Sequence, residues 1–334
     1  MWTTRSKTSP VAQCVSLLYL WLGLLLTSNM APVHAADPLH PPGIRGSDAI
    51  AVLYPEIAEP YRSILTRIIE GIEGQLKARV RVYPLGSSVD VPDLDLRLKR
   101  DGVKVVIALG RQGLKTASGL NRDITVVAGA VLAVPEGGDR VWTGISLMPD
   151  PALLFARLKS LLPAAKKIVV VYDPRHNDWL IKLAREAAKA QNLELVAYQA
   201  HDLAEAARRY EQILASLDGR SDALWLPQDV TTVDEITILP LVLRESWNRS
   251  VPVFSSSFLH VKKGVLFALY PNNFELGRNL ASSATGLLAG KPERSGMSPL
   301  REVHTAVNLR TASHIGINID IRQQRAFDSV FPEP

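Results

Sequence analysis

The sequence predicts an α/β protein of two doubly wound, parallel-sheet lobes with a ligand cleft between them. Two observations carry this. Short, continuously apolar segments alternate with segments of helical periodicity along the chain, and the same succession of segments occurs twice at nearly constant spacing. Strands that are apolar throughout belong to parallel sheets covered on both faces, and their alternation with helices gives βαβ units with right-handed crossovers.

The apolar segments are Ala49–Tyr54, Val80–Tyr83, Val103–Leu109, Ile124–Val131, Lys167–Tyr172, Leu193–Tyr198, Asp222–Leu226, Val251–Phe254 and Gly264–Leu269. Between them, Tyr61–Leu76 places Tyr61, Ile64, Leu65, Ile68, Ile69, Ile72 and Leu76 on one helical stripe. Pro151–Leu162, Trp179–Gln191 and Leu203–Leu217 follow the same pattern. AVLYPE at 51–56 returns as VVVYDP at 169–174, and VVIALG at 105–110 returns as ALWLPQ at 223–228, both displaced by 118 residues. The VRVY segment ending at Tyr83 returns as LVAY ending at Tyr198, displaced by 115. Each half reads strand, Tyr-containing turn, helix, strand, helix, strand, loop. In open parallel sheets ligands gather at the carboxyl ends of the strands, so two such sheets facing each other define an inter-lobe cleft that closes by a hinge motion.

The first 35 residues read as a secretory signal. Arg5 and Lys7 make a basic start, Val15–Leu26 is apolar, and Val33-His34-Ala35 offers small residues for cleavage after Ala35. Twelve apolar residues are short for the roughly 20 that span a bilayer. The expectation is a cleaved, periplasmic chain. The single cysteine, Cys14, precedes the apolar run and follows Gln13, unlike a lipidated cysteine. Residues 36–334 therefore use no disulfide and no thiol chemistry. Removing Arg5 and Lys7 lowers the formal charge from +5 to +3, and the remaining charges are interspersed, which argues against nucleic-acid binding.

Catalytic fingerprints such as GxSxG, HExxH, a Walker loop or GxGxxG are missing, and the histidines form no HxH or HxxxH pair. No metal, cofactor or enzymatic activity is expected. Three roles remain for a cleft of this kind: transport binding protein, periplasmic sensor module for a membrane signalling partner, and an enzyme without a recognisable motif.

The C-terminal half narrows the choice. DALWLPQDVTT, then VPVFSSSFLHVKKGVLFALYPNNFELGRNLASSATGLLAGKPE, then TAVNLRTASHIGINI resemble the ABC transporter substrate-binding family that includes tryptophan-type binding proteins. GISLMPD, KKIVVVYDPRHND and VVIALGRQGLKTA fit the same family, and the resemblance spans roughly residues 47–319. It implies the type I periplasmic-binding-protein fold with three crossings between lobes, a small-molecule ligand such as an amino acid or organic acid, an ABC permease as partner, and a monomer. Lobe one is expected from 46–143 and 272–292, lobe two from 144–271 and 293–320, with a loosely held polar tail at 321–334.

Candidate ligand residues lie where strands end. In lobe one these are Tyr54 and Glu56 after the first strand, Gly110, Arg111 and Gln112 after the third, and Gly129 and Ala130 at the fourth. Arg111 suits a carboxylate or phosphate through its bidentate fork, and equally suits a surface pair with a neighbouring acid. In lobe two, Asp173, His176 and Asn177 line the first loop, Asp229 and Thr231 follow a strand ending at Leu226, and Ser255, Ser256 and Tyr270 follow later strands. Family resemblance implies ligand contact for Asp229 and Thr231, while both residues also favour helix N-caps. The sequence departs from the family at the serines, where an acid is common, and at Leu269-Tyr270, where an aromatic-Gly pair is usual. Gly277 and Arg278 of FELGR are read as a close helix contact, Trp225 as core, and Trp179 as a possible stacking face beside the cleft.

Overall fold

The computed structural model describes residues 49–134, 142–291 and 295–332; the signal segment and its cleavage site lie outside them. Two sheets organise the chain. The first contains β1 (Ile50–Pro55), β2 (Arg81–Leu85), β3 (Val105–Leu109), β4 (Thr125–Val131), β5 (Thr143–Pro149) and β11 (Gly296–Leu300). Its spatial order is β11-β5-β4-β3-β1-β2, parallel throughout. The second contains β6 (Lys167–Tyr172), β7 (Glu194–Gln199), β8 (Asp222–Leu226), β9 (Val253–Ser255), β10 (Phe267–Pro271), β12 (Val303–Asn308) and β13 (Ser329–Phe331), in the order β13-β12-β10-β9-β8-β6-β7. Only the β10–β12 pairing there is antiparallel.

The internal repeat is present in the hydrogen-bond register itself. β1 pairs with β3 at Ala51↔Val106, and β6 pairs with β8 at Val169↔Leu224. Both partners are displaced by the same 118 residues that separate the sequence matches. Ala51↔Arg81 and Val169↔Val196 repeat the relation for the β1–β2 and β6–β7 pairs, with the 115-residue offset on the second strand. A one-residue slip would turn every side chain to the other face, so a conserved register means that the same faces are buried in both lobes.

Helices cover both faces of each sheet. Lobe one carries α1 (Tyr61–Leu76), α2 (Val91–Arg100), α3 (Gly110–Ser118) and α9 (Asn273–Leu288); lobe two carries α4 (Pro151–Leu161), α5 (Pro174–Ala190), α6 (Leu203–Ser216), α7 (Ile238–Arg249), α8 (Phe258–Lys263), α10 (Leu309–His314) and, near its end, α11 (Ile321–Gln324). Leu65, Ile68 and Ile72 of α1 join Leu276, Leu280 and Ala281 of α9 on one face of sheet one, and Leu94, Leu98 and Leu114 fill the other. In lobe two the Phe155 ring meets Trp225 edge-on at 5.6 Å, while Trp225, Phe254 and Phe267 run as a parallel series at 6.5 and 5.1 Å. Trp225 is fully buried, as a core residue should be.

Chain paths between the sheets cross three times: after β5, after β10, and between β11 and β12. All three are tied at residues 300–302. The Asp150 N–H donates to Leu300 O (2.8 Å), Arg301 pairs with the Asp150 carboxylate (3.1 Å), and the Asn272 N–H donates to Glu302 O (3.2 Å).

Two sequence expectations need correction here. A boundary at 143/144 would cut β5 at its first residue, yet β5 pairs along its length within sheet one, as does β11, which was expected in lobe two. Neither shows a continuous apolar run: β5 alternates and β11 contains Pro299. The tail from 321 is also not loosely held. β13 adds to β12, Phe327 and Phe331 are buried, and Asp328 accepts hydrogen bonds from the Thr305 N–H (2.7 Å) and hydroxyl (3.0 Å).

Candidate functional site

A cleft of about 1300 Å³ opens between the carboxyl edges of the two sheets. Lobe one lines it with Arg111 and Leu114 of α3, Ala130–Val134 at the end of β4, Leu147 of β5, and Ser295–Pro299 around β11. Lobe two lines it with Arg175, His176, Asn177, Trp179, Lys182 and Leu183 of α5, and with Gln228–Val230 after β8. Pockets enclosing a small ligand usually measure roughly 300–1000 Å³, so this volume leaves room for the lobes to approach.

The floor of lobe two is a buried polar assembly centred on Asp229. Its Oδ2 accepts from the Asp173 backbone N–H (2.7 Å) and from Asn177 Nδ2 (2.8 Å), and its Oδ1 accepts from the Thr231 N–H (2.9 Å). Asp229 is 4% exposed and Asn177 3%. A carboxylate offers about four acceptor positions, so three are taken and one remains for a ligand donor. The two readings of Asp229 thus converge structurally: it caps the turn to Val233 and it faces the cleft.

Asp173 extends the assembly. It caps α5 by accepting from the Arg175 N–H (3.0 Å) and binds the Arg175 guanidinium through both oxygens (2.6–3.0 Å). Burial would raise this carboxyl, but the hydrogen bonds from Arg175, with help from the Thr231 hydroxyl, outweigh it and hold the pKa at about 2. Arg175 also donates to His201 O (2.8 Å), which fixes its fork at the edge of the cleft.

Of the sequence-derived candidates, Arg111, Ala130, His176, Asn177 and Asp229 are brought together on the cleft. Gly110, Arg111 and Gln112 form the first turn of α3 rather than a loop, and α5 begins at Pro174, so His176 and Asn177 also stand on a helix. The Asp173 cap followed by Pro174 explains this early start, because Pro is pre-organised for the first helical turn. Ala130 has a left-handed backbone (φ 56). Arg111 is exposed, with no ion pair among the described residues.

The other candidates have defined partners elsewhere. Tyr54 packs against the core beneath α1 and α9, and Gly129 packs on Leu280 of α9. Glu56 is exposed, its N–H donating to Leu85 O (3.0 Å), and Gln112 donates to Gly86 O. Ser255 is fully buried: its hydroxyl shares a 2.7 Å hydrogen bond with His260 Nδ1 and accepts from the Ser257 N–H (3.0 Å). Ser256 takes the Trp225 indole N–H (3.5 Å). Tyr270 packs on Phe258 (4.8 Å) and shares a 3.3 Å hydrogen bond with Ser329.

Arg175, Gln228 and the β11 residues were missed by the reading of the sequence. Arg175 and Gln228 sit next to the chosen Asp173 and Asp229 in the DPRHND and PQD segments, and their neighbourhood was the available signal. No signal pointed to β11, which reaches the cleft only because it adds to the edge of sheet one. Among the described residues, no group of three or more His, Cys, Asp or Glu could hold a metal ion, and no helix is long and apolar enough to cross a membrane.

Two similar α/β lobes, three crossings and a cleft between strand carboxyl edges define a protein of the type I periplasmic-binding-protein class. The chain belongs to the ABC transporter substrate binding protein family, whose model matches residues 124–325. A tyrosine-binding protein of Clostridioides difficile (strain R20291) is 26% identical over 203 residues, covering 57% of this chain and 56% of the relative, so the match spans little more than half of that protein. Among solved structures, a ligand-free, open substrate-binding protein with adhesive properties from Clostridium difficile has a TM-score of 0.58 at 18% identity, covering 84% of this chain and 98% of the other. An ABC domain in complex with L-Trp from Streptococcus pneumonia has a TM-score of 0.52 at 19% identity, covering 84% and 99%. Identities this low carry the fold alone.

Proposed function

We propose that this protein is an exported solute-binding protein that captures an amino acid or a related organic acid between its lobes and delivers it to an ABC importer. The observation that supports this most is the cleft itself, lined by both lobes and charged asymmetrically. Arg111, Arg175 and Lys182 line it against one lining carboxylate, Asp229, with Lys182 paired to Asp178 at 2.9 Å. Arg175 already holds Asp173, which leaves Arg111 as the guanidinium available to a ligand carboxylate. The remaining acceptor position of Asp229 suits an ammonium or hydroxyl donor on the same ligand. The relatives' named ligands, tyrosine and L-Trp, carry both groups.

A ligand touching both lobes binds the closed arrangement more tightly than the open one, and that difference drives closure. The closed shape is what a permease would recognise. Isothermal titration of the purified protein with amino acids, their deaminated analogues and small organic acids tests the proposal. Saturable binding of one class, weakened about tenfold or more by Arg111→Ala, is expected from the loss of a charge-assisted hydrogen bond. Binding of no member, or binding indifferent to Arg111, would overturn it.

A further inference from the structure

A second cavity, of about 410 Å³, lies in lobe two and shares no lining residue with the cleft. Its position follows from the strands. Val251 and Val253 enter β9, Gly264 precedes β10, and Asn308 ends β12, which runs antiparallel to β10. These are the ends of sheet two opposite the carboxyl edge that faces the cleft.

The chemistry of this pole is one-sided. Arg244, Lys262, Lys263, Arg310 and His314 line the cavity, and no carboxylate does so among the described residues. Three of the five are engaged outside the lining: Arg244 with Glu245 (3.0 Å), Lys263 with Glu235 (2.7 Å), and Lys262, whose ammonium lies over the Phe258 and Phe331 rings at 5.3 and 5.4 Å. Arg310 has no ion pair among the described residues; its guanidinium stands 5.8 Å from the ring centre of Trp247. Leu243, Val251, Val253 and Ile315 supply an apolar floor beneath these cations.

Trp247 is the second distinctive part. It is 39% exposed, unusual for the largest apolar side chain, yet its ring is held firmly. His314 stacks on it at 3.6 Å with planes 6° apart, and His314 Nε2 lies 2.9 Å from Trp247 O. With Nε2 donating to that carbonyl, the imidazole is fixed in orientation. A braced, part-exposed indole beside a guanidinium that has no ion pair among the described residues places apolar surface next to a positive charge.

We propose that this pocket is a second binding site, for a small anionic amphiphile: a phosphate- or carboxylate-bearing molecule with an apolar or planar body. The anion meets Arg310 through its two-pronged donor fork, and the body lies on the apolar floor against Trp247. The inference is independent of what the cleft binds.

Phenyl phosphate carries both required features and serves as the probe, with benzyl alcohol as the uncharged control. Calorimetric titration of the purified protein is expected to show saturable binding of phenyl phosphate and none of benzyl alcohol. Arg310→Gln should weaken binding about tenfold or more, as should Trp247→Leu. Arg310 is exposed, so Arg310→Gln should keep the melting temperature, and it should leave titration of the cleft ligand unchanged. Arg111→Gln, in the cleft, should leave phenyl phosphate binding unchanged. A parallel arm measures co-sedimentation with vesicles containing phosphatidylglycerol. Arg310-dependent co-sedimentation identifies a lipid headgroup as the source of the anion, whereas binding of phenyl phosphate alone identifies a soluble one. Absence of saturable binding at millimolar probe, or binding that survives Arg310→Gln, or binding abolished by Arg111→Gln, would overturn the proposal.

Discussion

The two lobes share strand order and register but are fastened by different physics. In lobe two α5, the helix after β6, is capped by Asp173, whose backbone N–H is held by Asp229, so a buried polar assembly joins the ends of β6 and β8. In lobe one the corresponding helix, α1, begins without a side-chain cap. What stiffens lobe one lies behind the sheet, where α1 and α9 approach until their backbones touch. A Cβ on Gly277 would stand 2.0 Å from Ile68 O, and one on Gly71 would stand 2.0 Å from Phe274 O. Lobe two thus presents a pre-set polar surface to the cleft. Lobe one presents an exposed, unpaired Arg111 on a helix free of such ties. The frame is shared, and the fastening of each lobe on it differs.

The largest effect expected from breaking this contrast is at Asp229. Asp229→Ala strands the Asp173 N–H and the Asn177 amide in a buried setting, and each unsatisfied group costs about 1–3 kcal/mol. A loss of about 3 kcal/mol in urea unfolding is expected, together with weaker ligand binding. If Asp229→Ala unfolds like the wild type, the polar assembly is not what holds lobe two. Next is the lobe-one counterpart, Gly277→Ala, which forces α9 away from α1 and should cost about 2 kcal/mol by the same measurement while leaving the Asp229 assembly intact.

Acid sharpens the contrast further, because buried titratable groups of lobe two, His260, Asp173 and Asp222, respond to it. Burial pushes His260 down to about 4, against a partial upward pull from Glu235. Unfolding lets His260 take a proton at about 6.5, so stability should fall as the pH drops from about 6.5 to about 4. Asp173, held at about 2, adds a second loss as the pH falls from about 4 towards 2, since the unfolded chain takes up that proton first. Chemical denaturation across pH should show both phases, with His260→Gln removing the upper and Arg175→Gln reducing the lower, to which Asp222 and Asp234 also contribute. The smallest expected effect is at the mouth of lobe one: Ala130→Gly relieves a left-handed residue and should raise stability by about 0.5 kcal/mol, read as a small rise in melting temperature. A fall instead would mean that the Ala130 methyl packs productively in the open cleft.

Much of this arrangement was written locally. Nine apolar runs became strands, seven of them because a strand buried on both faces must be apolar along its length, while β2 and β7 sit at sheet edges, and the 118-residue repeat reappeared as an identical pairing register. Gly277 was legible as a close helix contact because FELGR places a glycine where α9 must meet its neighbour. Legibility failed where pairing partners, not composition, make the strand. β5 alternates, β11 carries a proline, and β13 is three residues long; each is a strand because a neighbour offers an unpaired edge. The site shows the same division. Strand ends marked neighbourhoods that meet at the cleft, where Arg111, Ala130, His176, Asn177 and Asp229 line it. Ser255 and Ser256 end a strand too, but their hydroxyls are spent on His260 and Trp225.

The sequence by itself determined the fold class, the internal repeat and the nine apolar strands, since these follow from periodicity and apolar content. Tertiary structure alone decided which strand ends share the cleft, which carboxylate is already satisfied and which guanidinium is left without a partner. Those outcomes depend on groups far apart in the chain, such as Asp173 and Asp229, meeting within hydrogen-bonding distance. Local pattern fixes what each segment buries; only the packed arrangement fixes which polar groups remain for a ligand.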